Sequence, residues 1–324
     1  MTNESAQRHE TVTLANGVVM PTVAFGCAFG DWVGRTEFQG FRPELAWRAM
    51  TLALGAGYRA FDGAHVYGTE SVLGDLLGPR FASGELRRED LFITTKLAHP
   101  NVPPEVNISH LRTWDANDVA DIRQRVRDDM QKSLAELRVG YVDLLLMHWP
   151  GPFANEDAEL ARRARREVWE TFVELHRRGA ARAIGVSNFT VGHLKELAEA
   201  EVKPMVNQVE VHPYCRDPEL ESWCREQGIV VTAYAPFASG AFDMLKDPAL
   251  VSIAEAHGVS TGQVVLRWHL QSGRTVLPKS SNPERMRQNL DLHGFALSAD
   301  EMAAIDALGG GEPRRTCGDP NTIT

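Results

Sequence analysis

The sequence predicts a parallel α/β fold, a (β/α)8 TIM barrel, and three observations carry that reading. Short, nearly continuous Val/Ile/Leu runs recur along the chain, as expected of strands covered by protein on both faces. Amphipathic stretches of helical period separate them. The length, 324 residues, suits one barrel, and no early strand is followed by the G-x-G-x-x-G of the competing doubly wound sheet.

In chain order, residues 1–10 are polar and read as a flexible N-terminus without a signal-peptide core. Thr11–Met20 holds two β-prone runs around Asn16-Gly17, a hairpin signal, and this hairpin is expected to plug the bottom of the barrel. Strands are expected at Val23–Gly26, Tyr58–Asp62, Leu91–Lys96, Val142–His148, Ala183–Ser187, Met205–Val209, Val230–Tyr234 and Thr275–Pro278. Helices are expected at Glu44–Ala56, Val119–Leu137, Val168–Arg178, Val191–Glu199, Pro218–Gln227, Val264–Gln271 and Pro283–Leu290, among others. Two long loops interrupt the alternation, residues 29–42 after the first strand and 98–117 after the third. In a barrel both rise over the C-terminal face, and loops of such length are commonly functional. Residues 309–324, rich in Gly and Pro, read as a surface tail, so 1–324 is expected to form a single barrel domain.

Composition narrows the functions. The net charge is −9 with acids and bases interleaved, which argues against nucleic acid or an anionic membrane surface as partner. No apolar run reaches the length of a bilayer span. Four cysteines without framework or zinc spacing point to a reduced, cytoplasmic setting.

Polar residues recur where strands end: Asp62, Lys96, His148, Ser187, Asn188, Gln208 and Tyr234, with Tyr67 five residues beyond Asp62. In a barrel these converge on one mouth, the usual place for a site. The segments around them carry a family resemblance. Phe61–Gly68 (F-D-G-A-H-V-Y-G) resembles the D-T-A-x-x-Y-G signature of the aldo-keto reductases. Thr94-Thr95-Lys96, Leu146–Pro150 (L-M-H-W-P), Gly185–Phe189 (G-V-S-N-F) and Asn207–Glu210 (N-Q-V-E) are similar to further motifs of that family. So is Leu277–Ser280 (L-P-K-S) with the downstream Arg285. The resemblance spans nearly the whole chain and is nearest to the bacterial and fungal diketogluconate- and xylose-reductase-like members.

That resemblance implies a barrel that binds NADPH and reduces aldehydes or ketones, reversibly as an alcohol dehydrogenase. It assigns a tetrad of Asp62, Tyr67, Lys96 and His148. Reduction by hydride leaves a negative oxygen that needs a proton donor and positive potential. Tyr67 is the implied acid, since a phenol titrating near ~10 is protonated at neutral pH. Lys96 is expected to favour the phenolate and ease proton release, with Asp62 aiming Lys96 and His148 orienting the carbonyl.

The resemblance also implies that Ser187, Asn188 and Gln208 hold the nicotinamide carboxamide and that Tyr234 stacks on its ring. Ser239 lies in a segment, 236–247, that closes over the pyrophosphate. Lys279, Ser280 and Arg285 surround the 2′-phosphate, favouring NADPH over NADH. Gln288 and Asn289 stand at the adenine positions. Gly63 replaces the family's usual Thr and is expected to loosen the strand end, and Gln288 replaces the commoner Glu. Phe29, Trp32, Trp114 and Trp149 are candidate substrate walls, and the two long loops suggest a bulky or specialised carbonyl. A monomer is the family's default. Two alternatives are an NADPH-binding regulatory or partner-binding subunit with little turnover, and a metal-dependent hydrolase using His65, His148 and Asp62. The latter residues lack ligand spacing, so no metal is expected.

Overall fold

The computed structural model describes residues 10–33, 37–99, 121–151 and 157–323, with the backbone alone for 31–33 and 37–39. Strands β1 (Thr11–Thr13) and β2 (Val19–Pro21) pair antiparallel, and Gly17 takes φ +85° in the turn between them. Leu14 and Met20 are buried, and Asn16 Nδ2 donates to the Arg182 carbonyl at 2.9 Å. Arg182 lies at the start of a barrel strand, so the hairpin covers the N-terminal end of the barrel.

The first barrel strand, β3 (Phe25–Gly26), is followed by a hairpin of β4 (Gly30–Val33) and β5 (Glu37–Phe41). The sequence predicts an open loop over 29–42. Its glycines and aromatics hide the two-residue alternation, and the register slips between Asp31 and Trp32. Helix α1 (Pro43–Ala56) begins with proline and ends on Gly57 at φ +106°.

The alternation then runs regularly: β6 (Ala60–Asp62), α2 (Glu70–Ser83), β7 (Phe92–Leu97), α3 (Ile122–Leu137) and β8 (Val142–Met147). It continues with α4 (Ala158–Arg177), β9 (Ala181–Ser187), α5 (Val191–Glu196), β10 (Val206–Glu210), α6 (Pro218–Glu226) and β11 (Val230–Tyr234). Two helices, α7 (Pro248–His257) and α8 (Thr261–Gln271), precede the last strand β12 (Thr275–Val276), and α9 (Pro283–Gln288) and α10 (Ala299–Ala307) follow it.

The eight parallel strands lie in the order β12-β11-β10-β9-β8-β7-β6-β3. Closure comes from Val23, which bridges Val276 in parallel, with Ala24 N donating to the Val276 carbonyl at 3.0 Å. Strands β7 and β8 are buried along their whole length, as their apolar runs predict.

Helix α2 carries Gly74, Gly78 and Pro79, which obscure its period in the sequence. Gly74 marks where α2 crosses the end of α3. A Cβ there would meet the Glu136 carbonyl oxygen and come within 2.9 Å of the Leu137 carbonyl carbon. Because the opposing atoms are backbone, they cannot swing aside. Gly74→Ala is therefore expected to cost about 1–3 kcal/mol, read as a lower urea midpoint at unchanged m-value.

Candidate active site

Four functional side chains converge at the C-terminal mouth. Asp62 ends β6, Lys96 sits near the end of β7, and His148 directly follows β8. Tyr67 closes a single 3-10 turn, His65–Tyr67, just beyond β6. Lys96 Nζ donates to Asp62 Oδ1 at 2.5 Å and to the Gly63 carbonyl at 2.8 Å, and it lies 3.5 Å from Tyr67 Oη. His148 Nε2 lies 3.5 Å from the same hydroxyl, with the two rings edge to face at 5.5 Å. The Tyr67 oxygen is thus met by an ammonium and an imidazole. Gly63 N also donates to the Thr94 carbonyl at 2.9 Å, so the backbone at this strand end is bonded through both its N–H and its carbonyl.

Burial sets the charges here. It pushes the Tyr67 phenol above its ordinary value; Lys96 pulls the other way and is outweighed. Lys96 thus acts on the phenol in the expected sense, but a site this dry penalises phenolate more than one ammonium can offset, so the net shift is upward. Burial also opposes charge on Lys96, but Asp62 and Tyr67 together raise its pKa, so it stays an ammonium. His148 is driven well below the usual imidazole value by burial, with neighbouring His99 and Lys96 adding to the effect. It is therefore neutral at pH 7, and its Nδ1 has no hydrogen-bond partner among the described residues.

The floor beside the tetrad is a buried polar network. Glu70 accepts from Thr95 Oγ1 at 2.6 Å and from Ser133 Oγ at 2.9 Å, and lies 3.3 Å from His65 Nδ1. His65 is thus engaged with Glu70 and Ser133, across the loop from Asp62.

Beside the tetrad, Ser187 Oγ donates to the Gln208 carbonyl at 2.7 Å, and Asn188 Nδ2 donates to the His148 carbonyl at 3.0 Å. Asn188 takes φ +62°, a left-handed turn that asparagine tolerates. Tyr234 Oη donates to Asn188 Oδ1 at 2.8 Å, and Gln208 Nε2 donates to Asp62 Oδ2 at 2.7 Å. Hydroxyl, amides and a half-buried aromatic ring therefore meet at one wall, a donor set suited to a flat ring bearing a carboxamide.

Farther out, Lys279 Nζ donates to the Ala28 carbonyl at 2.6 Å and lies over the Phe29 ring. Arg285 is exposed, Ser280 and Gln288 are half-buried, and Asn289 is buried. Ser239 is exposed and sits 3.4 Å from Thr316 Oγ1 of the tail, which Glu210 holds through the Thr316 hydroxyl and amide.

Among the substrate candidates, Trp149 is buried next to His148, whereas Phe29 packs into the core against Phe25 at 6.3 Å. Trp32 lies on β4 with its side chain outside the described residues, as does Trp114 altogether. Two neighbours of the site escape sequence reasoning. Phe41, ending β5, lies 4.9 Å from the Tyr67 ring. His99 lies edge to face on His148 at 4.8 Å, turned there by Ala98 at φ +59°. The flagged long loops contain both residues, but nothing in their local pattern says which side chains return to the mouth.

The aldo/keto reductase family model matches residues 27–309, a span that includes every strand-end residue just described. The chain belongs to the aldo/keto reductase family. This aldo/keto reductase is 36% identical over 305 residues to aldose reductase B of Dictyostelium discoideum, covering 89% of this chain and 91% of that one. It is 37% identical over 300 residues to glyoxal reductase of Bacillus subtilis, covering 92% of each. Among solved structures, it is similar to a Bombyx mori aldo-keto reductase in complex with NADP. That match has a TM-score of 0.78 and 29% identity, over 97% of this chain and 96% of the other.

Proposed function

We propose that this aldo/keto reductase is an NADPH-dependent oxidoreductase that reduces an aldehyde or ketone to the alcohol with Tyr67 as general acid. The observation that carries the reading is the Tyr67 hydroxyl held between the Lys96 ammonium and a neutral His148. NADPH, when bound, supplies the hydride; the protein supplies position, proton and field. The substrate carbonyl oxygen sits between Tyr67 Oη and His148 Nε2. Tyr67 donates a proton to that oxygen as negative charge develops, and Lys96 stabilises the phenolate left behind. Asp62 keeps Lys96 charged and aimed.

Ser187, Asn188 and Gln208 would hold the carboxamide, Tyr234 would stack on the ring, and Ser239 would reach the pyrophosphate. Lys279, Ser280 and Arg285 would meet the 2′-phosphate, with Gln288 and Asn289 near adenine. Phe41 and Trp149 flank the substrate, and we place the enzyme in the cytoplasm as a monomer, in keeping with its free cysteines.

The test is NADPH consumption across small dicarbonyls, bulkier aldehydes, ketones, sugars and ketosteroids. The glyoxal relative puts dicarbonyls first. Turnover supports the reading. Nucleotide binding without oxidation of NADPH on any of these carbonyls would favour the regulatory alternative. Arg285→Ala is expected to weaken NADPH by roughly tenfold, one charge-assisted hydrogen bond, and to leave NADH little changed. Fluorescence titration with both nucleotides checks this.

A further inference from the structure

Gln208 is implied by resemblance only as a nucleotide ligand, yet its observed side-chain partner is the tetrad carboxylate. Its Nε2 donates to Asp62 Oδ2 at 2.7 Å, while the other carboxylate oxygen, Oδ1, takes Lys96 Nζ at 2.5 Å. Strands β10 and β6 stand four places apart in the eight-strand order, on opposite walls, so this bond crosses the barrel. Both side chains are buried. The Gln208 backbone is pinned as well, since its carbonyl accepts from Ser187 Oγ at 2.7 Å and from Asn188 N at 3.0 Å. A buried carboxylate with two oxygens needs donors for both, or it rotates to find them. Lys96 satisfies one oxygen and Gln208 the other, which fixes the plane of Asp62 and the line along which Lys96 reaches Tyr67.

We propose that Gln208 is a positioning residue for proton transfer, holding Asp62 from across the barrel so that Lys96 stays directed at the Tyr67 hydroxyl. The inference rests on the reading of Tyr67 as the acid. Gln208 acts through Asp62 and Lys96, and its Oε1, which accepts no hydrogen bond among the described residues, is left for the nucleotide amide. One side chain thereby joins the ligand wall to the proton-donating chain. Without it, Asp62 turns both oxygens toward Lys96 and draws the ammonium away from Tyr67.

The experiment is Gln208→Asn, which keeps the amide but is one methylene too short to cross, with Gln208→Met as a shape-preserving second variant. Folding is checked by circular dichroism, and nucleotide affinity by fluorescence. At saturating NADPH, kcat is expected to stay about tenfold or more below wild type. The solvent deuterium isotope effect on kcat is expected to rise, because proton transfer has become harder. If saturating NADPH restores kcat with an unchanged solvent effect, Gln208 is a nucleotide ligand alone and the proposal is overturned. An equal rise in Asn188→Ala, whose amide bonds Tyr234 and the His148 carbonyl but not Asp62, would overturn it too, tracing the effect to a loose nucleotide. Wild-type turnover by Tyr67→Phe would instead defeat the underlying reading, so the two failures are told apart.

Discussion

Tyr67→Phe is expected to lower carbonyl reduction by about 10²- to 10⁴-fold, the usual contribution of a general acid, while NADPH binds nearly as before. The change removes one oxygen and keeps the ring that packs at 4.9 Å against Phe41 and edge to face with His148. Lys96 keeps Asp62 and the Gly63 carbonyl, so the buried ion pair survives. The loss therefore falls on kcat rather than on folding, and stopped-flow turnover beside a nucleotide titration separates the two. Retained turnover would mean that another group delivers the proton.

The second large effect belongs to Asp62. Lys96 is about 1% exposed, and Asp62 is its only carboxylate partner among the described residues. Asp62→Leu leaves a buried ammonium without its counter-ion, and breaking such a pair typically costs about 3–5 kcal/mol. The charge on Lys96 depends on Asp62, because burial, the largest influence on it, acts to lower its pKa. With Asp62 gone, burial acts on Lys96 with its main opponent removed and lowers its pKa. Tyr67 then has a less firmly charged and unaimed partner to stabilise its phenolate. Urea unfolding should show the stability loss, and activity at low temperature should show at least a hundredfold fall on top of it, within the range typical of acid–base catalysis. Unchanged stability would mean that Lys96 finds charge compensation elsewhere.

Much of this was legible in the sequence, for physical reasons. Barrel strands buried on both faces are apolar runs, so a polar residue at their end stands out, as Lys96 does after Ile93-Thr94-Thr95 and His148 after Leu144–Met147. What escaped depends on non-local geometry. Phe41 reaches Tyr67 only because the 29–42 segment folds back as a hairpin, and His99 reaches His148 only because Ala98 turns left-handed. The Gln208–Asp62 bond joins residues 146 positions apart across the barrel, beyond any local pattern. Helix α2 was obscured by Gly74, a residue required by contact with α3 rather than by helix propensity. That Tyr67 is a neutral phenol was legible in its motif, whereas the burial that raises its pKa further was not.

The central claim is that a neutral phenol, and not an imidazolium, protonates the nascent alkoxide. The pH dependence of kcat at saturating NADPH tests it directly, because the two groups are displaced in opposite directions. Tyr67 is raised above 10.0 and stays protonated across the neutral range, while His148 lies well below 6.5 and stays neutral there. Reduction should therefore be level between about pH 6 and 9, falling only as alkali begins to ionise the phenol. A rate that climbs toward acid through an inflection near the ordinary imidazole value of about 6.5, and loses that inflection in His148→Gln, would contradict the account.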